Sequence, residues 1–179
     1  MMNKTNLVLK MSMAALMASV YSTSASADAI PGDALAQVIQ PLTLAEVTKM
    51  NFGTIAPTGV ASTVTLTPGA GRTGTATLLA GPTTASLGKF TITGDAAQTF
   101  NIALSVTGAA ANVLLTDGAG NSMTVTGLTE NSAVGGVLTG AADAFDIGGT
   151  LNVGATQVGG SYSTANAGGV TFTVTANYN

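Results

Sequence analysis

Short runs rich in Thr, Val, Ile, Leu and Phe recur along this chain, with Gly or Pro turns between them. The runs are 51–55, 62–67, 75–79, 89–93, 98–105, 113–116, 122–128, 145–153 and 170–178. Side chains of these types suit a pleated, half-buried surface. The turns include Pro57-Thr58-Gly59, Pro68-Gly69, Gly81-Pro82, Thr93-Gly94-Asp95, Asp117-Gly118, Gly135-Gly136, Gly148-Gly149 and Gly159-Gly160. Strands punctuated by a turn roughly every 8–12 residues make a sandwich or a barrel. No window carries a sustained helical stripe, and Ala109–Ala111 and Ala141-Ala142 are too short to nucleate a helix alone. The expected fold is all-β, one antiparallel β-sandwich.

Composition narrows the setting and the chemistry. Only 7% of the 179 residues are charged, against about 25% in an ordinary soluble domain. Five Lys and Arg against eight Asp and Glu give a net charge of -3. Nucleic acid is excluded as a partner, because a phosphate backbone is gripped by clustered cations. His, Cys and Trp are absent. With them go imidazole bases, thiol nucleophiles, disulfides and the usual zinc and haem sites.

Residues Met1 to Ala27 have the form of a secretory signal. Lys4 and Lys10 supply a positive start, Met11 to Tyr21 an apolar core, and Ala25-Ser26-Ala27 a small-x-small cleavage site before Asp28. An apolar core of ~11 residues is too short for a bilayer, which needs about 20. The expectation is export through the inner membrane to the periplasm, then to the cell surface or medium, with no transmembrane span in the mature chain. Once the signal is removed, Lys49, Arg72 and Lys89 face all eight acids. The expected organisation is a signal at 1–27, an extended N-terminal arm at 28–40 and a β-sandwich domain at 41–179.

The two ends of the mature chain carry the sharpest pattern. From Val170 to Tyr178 alternation is unbroken: Val170, Phe172, Val174, Ala176 and Tyr178 face one way, Thr and Asn the other. A one-residue slip would put every apolar side chain in water, so the strand must be half-buried. It is either an ordinary last core strand or the border of a groove filled by another molecule's strand. The arm (DAIPGDALAQVIQP) begins at a Pro31-Gly32 joint and then alternates, with Ala34, Ala36, Val38, Leu42 and Leu44 on one face and Gln40 the exception. It is either the first strand of its own domain or a donor that adds to an exposed sheet edge, inserting alternate side chains into pockets.

The segments Met50-Asn51-Phe52-Gly53-Thr54-Ile55, Gly71-Arg72-Thr73-Gly74, Lys89-Phe90-Thr91-Ile92-Thr93-Gly94, Leu151-Asn152-Val153-Gly154-Ala155 and Asn177-Tyr178-Asn179 occur here in that order. In them the chain resembles a family of exported bacterial proteins, the domain of unknown function DUF4402. That family is in turn similar to chaperone-usher pilin subunits. The resemblance implies an immunoglobulin-like sandwich that lacks one strand and is completed by a neighbour's N-terminal extension. It implies a periplasmic chaperone and an outer-membrane usher as partners, and an aromatic beside the C-terminus, where Tyr178 stands. Two departures stand out: Asn166 occupies the place of the usual pilin Gly, with Gly168-Gly169 following, and the pilin disulfide is missing. In Gly160-Ser161-Tyr162 the chain is similar to the family's turn into its last strand, and Tyr162 is either a corner tyrosine or a surface aromatic.

Catalysis and metal binding fall to the acids alone. Asp143 and Asp146, with Asp117 and Asn121, offer oxygens for calcium, but their spacing matches no calcium loop, and Asp in a Gly turn usually serves its own backbone. Gly69-Ala70-Gly71-Arg72-Thr73-Gly74 lacks the Lys-Ser/Thr pair of a phosphate loop and is expected to be a flexible hairpin connection. No catalytic residue, metal ligand or cofactor is assigned. The expected function is a structural subunit of a surface fibre, a homopolymer built by strand exchange. Ala34, Ala36 and Val38 donate; the edge of Val170, Phe172, Val174, Ala176 and Tyr178 accepts. The alternative is a monomeric exported adhesin or carbohydrate-binding module.

Overall fold

The computed structural model describes residues 28–108, 110–132 and 136–179. The expected signal, 1–27, lies outside the described residues, as do Ala109 and Gly135. The chain divides into two units, Met1–Gln37 and Val38–Asn179. In the first, residues 28–37 are exposed and carry no strand. The second contains β1 (Thr43–Thr48), β2 (Thr54–Ala56), β3 (Ser62–Thr67), β4 (Gly71–Gly74), β5 (Thr77–Leu79), β6 (Gly88–Thr93), β7 (Phe100–Val106), β8 (Val113–Thr116), β9 (Ser122–Glu130), β10 (Asp143–Val153) and β11 (Phe172–Tyr178). All the pairings are antiparallel, and the described residues include no helix. The all-β expectation is met.

Period-two patterning explains the local choices. In β3, Ser62, Val64 and Leu66 are buried while the intervening Thr side chains turn outward. Thr65 and Thr150 then meet across the β3–β10 pair, hydroxyl to hydroxyl at 3.0 Å. Such cross-strand pairs are the unit of sheet stabilisation.

Strand β10 is the hub of a seven-stranded sheet. Asp143–Ile147 pair with β6 and Gly149–Val153 with β3. Ile147 also pairs with Glu130, and Thr150–Asn152 with Thr124–Thr126, all in β9. A strand has two edges, so β6 and β3 share one edge of β10 and β9 takes the other. β1 continues the sheet beyond β6, β4 beyond β3, and β8 beyond β9. The β9–β10 register shifts between Gly148 and Thr150, opposite Gly127 at φ +58°. A Gly in the left-handed region is the usual way to accommodate such a bulge.

Two smaller sheets complete the unit: β2 with β5, and β7 with β11. Two apolar clusters lie beneath. One gathers Phe52, Val64, Leu66, Val113, Val125, Leu151 and Val153. The other is built on Phe90, Ile92, Phe100, Leu138, Phe145 and Ile147. Phe90 and Phe145, directly paired in β6 and β10, stack with centroids 5.7 Å apart, and Phe172 of β11 meets Phe90 edge-on at 6.3 Å. The inner side of the β7–β11 pair thus packs on β6 and β10.

The expected strands recur with modest changes. Those at 62–67 and 113–116 have the expected bounds. The run at 75–79 is a strand only over Thr77–Leu79, which pairs with β2, and Gly71–Gly74, expected as a hairpin connection, is instead a strand because β3 supplies a partner. The alternation that begins at Ala34 becomes a strand only at Thr43, where β6 supplies a partner.

Candidate functional site

The last strand and the root of the arm meet at one place in the second unit. β11 pairs with β7 from Phe172↔Val106 to Tyr178↔Phe100. Just outside the strand ends, Thr107 N–H donates to Thr171 O at 2.9 Å and Asn179 N–H to Thr99 O at 3.0 Å. These bonds set the phase of the ladder: odd-numbered residues of β11 turn their backbone groups toward β7, even-numbered ones away. Phe172, Val174, Ala176 and Tyr178 therefore aim their N–H and C=O groups at the far edge. Among the described residues no strand pairs with that edge.

The same residues send their side chains inward, yet they stay half-buried. Leu42 and Leu44, at the start of β1, pack against the same Phe90/Phe145 cluster and are also half-buried. Among the described residues β1 is itself an edge strand, bonded only to β6. Apolar side chains facing a core should be covered, and unpaired edge groups invite another strand. Here both features lie along one strand.

At the Tyr178 end, three residues close a ring of hydrogen bonds. Tyr178 O–H donates to Gln40 O at 2.7 Å, Asp95 N–H donates to the Tyr178 hydroxyl oxygen at 3.0 Å, and Gln40 N–H donates to Asp95 Oδ2 at 2.9 Å. Both backbone groups of Gln40 are thereby held, and Pro41 beside it has no N–H to offer. Gly94 makes the ring possible, since a Cβ there would run into the Tyr178 hydroxyl and Leu42. Ile39, Gln40, Pro41, Leu42, Ala176, Asn177 and Tyr178 line an open depression at this corner.

Of the residues singled out in the sequence, Phe172, Val174, Ala176 and Tyr178 share the open edge. Val170 does not join them: its N–H and C=O both bond to Leu114 of β8. Ala34 and Ala36 lie in the first unit, whose described residues carry no strand, and Val38, 92% exposed, opens the second. The sequence sets Leu42 on the alternating apolar face, Gln40 as its exception and Asp95 in a turn, but holds no sign that Gln40 and Asp95 meet Tyr178.

The acids have local duties. Asp117 accepts bonds from the Asn121 side chain and from the backbone N–H groups of Ala119 and Asn121. The Asn121 side-chain bond, followed by the Ala119 N–H, holds this carboxyl below its ordinary range. Asp143 accepts from the N–H and hydroxyl of Thr139, and Asp146 pairs with Lys89 at 3.1 Å. Among the described residues no three acids gather as a metal site. Tyr162 donates to Val158 O at 2.7 Å and accepts from Gln157 at 2.8 Å, fixing the turn before β11.

Residues 42–178 match the family model for the domain of unknown function DUF4402. The chain belongs to this family. Neither the curated proteins nor the solved structures yield a match. The DUF4402 match begins at Leu42, next to the clamp, and ends at Tyr178, so it takes in both sides of the open corner.

Proposed function

We propose that this DUF4402 protein is a structural subunit of a bacterial surface fibre, polymerised by donor-strand exchange between copies. In this reading β1, β6, β10 and β9 form one sheet of an immunoglobulin-like sandwich, and β7 with β11 forms the other, short of one strand. The arm at 28–40 of the next copy, with Ala34, Ala36 and Val38 on its apolar face, fills the vacancy beside β11. The open edge of β11, lined by half-buried Phe172, Val174, Ala176 and Tyr178, is the observation that carries the reading.

The energetics are in keeping with a stable joint. Each backbone bond added to the ladder is worth about 0.5–1.5 kcal/mol net. Each buried Val or Ile side chain adds roughly 1.5–3 kcal/mol and each Ala methyl about 0.8. Until assembly the edge is an aggregation hazard. A periplasmic chaperone that lends a strand would cover it, and an outer-membrane usher would hand the subunit to the growing fibre. The setting is the periplasm, then the cell surface.

The test is deletion of Asp28–Gln37. The expected result is loss of the oligomer ladder in mild detergent gels, with circular dichroism unchanged and with binding of a synthetic arm peptide retained. A protein that is monomeric both before and after deletion, and that ignores the peptide, refutes strand exchange and favours the monomeric adhesin.

A further inference from the structure

The depression beside Tyr178 has a shape that selects one way of seating an arm, and this inference rests on the strand-exchange reading above. Along the inner face of β11 the side chains run Phe172, Val174, Ala176, Tyr178. Ala176 is the small one, and it lies where the depression opens between Leu42, Pro41 and Tyr178. Toward Phe172 the strand's own side chains are large, and the Phe90 ring stands edge-on to Phe172 at 6.3 Å. An incoming strand must therefore offer a large side chain at Ala176 and small ones toward Phe172.

The arm has one uncharged face that is large at both ends and small between: Ile30, Gly32, Ala34, Ala36, Val38. Both of its large residues are bare, Ile30 at 84% and Val38 at 92% exposure. Either could fill the depression by size alone. Tethering separates them. Gln40 is clamped to its own body by Tyr178 and Asp95, so Val38 has only Ile39 as slack. Seating Val38 in a second copy would force the clamped corner of one body into that of the other. Seating Ile30 leaves Leu35 to Ile39 as a spacer of about 17 Å when extended.

We infer that the arm of a second copy runs antiparallel to β11, with Ile30 in the depression against Ala176, Gly32 beside Val174 and Ala34 beside Phe172. Large meets small at every rung. Pairing ends at Phe172, because the backbone of Val170 is already committed to Leu114. Ala36 and Val38 then belong to the spacer. The far wall of the depression is the acceptor's own Ile39–Leu42, held by the clamp. Each subunit thus receives a neighbour's arm at the root of the arm it donates.

The chain has no cysteine, so single thiols report position without background. Full-length Ile30→Cys and Ala176→Cys chains, mixed and oxidised, should give a covalent heterodimer, as should Ala34→Cys with Phe172→Cys; Val38→Cys with Ala176→Cys should not. Cross-linking of Val38→Cys to Ala176→Cys in place of Ile30→Cys would reverse the arm and overturn the inference while leaving strand exchange intact. No cross-link from any arm position to β11 would remove both. As a second measurement, Ala176→Leu should weaken association roughly tenfold or more, and Ile30→Ala on the partner copy should restore it, by exchange of one large side chain between the two surfaces. Failure of that rescue beside intact Ile30–Ala176 cross-linking would refute the proposed fit of sizes.

Discussion

The Tyr178 hydroxyl donates to the backbone oxygen of Gln40 at 2.7 Å, joining the last strand to the root of the arm. The bond spans 138 positions of sequence. It ties together two elements that share no ladder, since β11 pairs with β7 and β1 with β6.

Replacing Tyr178 by Phe removes this bond and leaves Asp95 N–H without its acceptor, while the ring keeps its packing. The expected cost is about 1–2 kcal/mol. Urea unfolding measures it, and amide exchange at Asp95 should speed up more than at Ile92, which remains in the β6 ladder. Equal protection at Asp95 in both proteins would show that the ring is not held in solution.

Much of the strand plan was legible because alternation and turn residues speak locally. Val113–Thr116 and Ser62–Thr67 needed only their own side chains and the glycines or prolines around them. The corner at Tyr178 was not legible, because Gln40 acts through its backbone groups and Asp95 through its N–H and carboxylate, each with a partner distant in sequence. Val170 shows the opposite failure. Its alternation continues that of β11, yet a bridge to Leu114 takes its backbone away from the edge. Likewise the alternation from Ala34 onward is real, but a strand forms only where a partner lies alongside, and along 28–41 the described chain supplies none.

Phe90 lies between Phe145 and Phe172 and is 7% exposed. Phe90→Ala should destabilise the protein by about 3–5 kcal/mol, through lost burial and the cavity left behind. Phe90→Leu should cost less than half as much. Thermal unfolding of the two variants gives the comparison; equal effects would mean that the aromatic contacts contribute more than the filled volume.

Asp117 predicts a pH dependence with a definite sign. Its bonds from Asn121 and Ala119 lower the folded-state pKa below the ordinary 3.8. The charged form is therefore favoured by folding. Its contribution is present above about pH 4 and is lost as pH falls through the folded value. The carboxyl carbon shift of Asp117 should titrate below 3.8. Asn121→Ala should move that titration upward and flatten the acid limb of stability, and an unchanged titration would assign the shift to other groups.

Gly148 of β10 lies against the end of β3. A Cβ placed there would collide with Leu66 O and come within 2.8 Å of Pro68 Cδ. The obstacle on one side is backbone in a paired strand, which cannot swing away as a side chain would. Gly148→Ala must therefore part β10 from β3 near the Gly149↔Leu66 pair. Overpacking of this kind costs about 1–3 kcal/mol, and the loss should appear as a lower unfolding midpoint with faster amide exchange in β3. Gly159→Ala is the matched control, since a Cβ there meets nothing within 4 Å. Similar losses in both variants would place the cause in the backbone freedom of glycine and not in the close approach of the two strands.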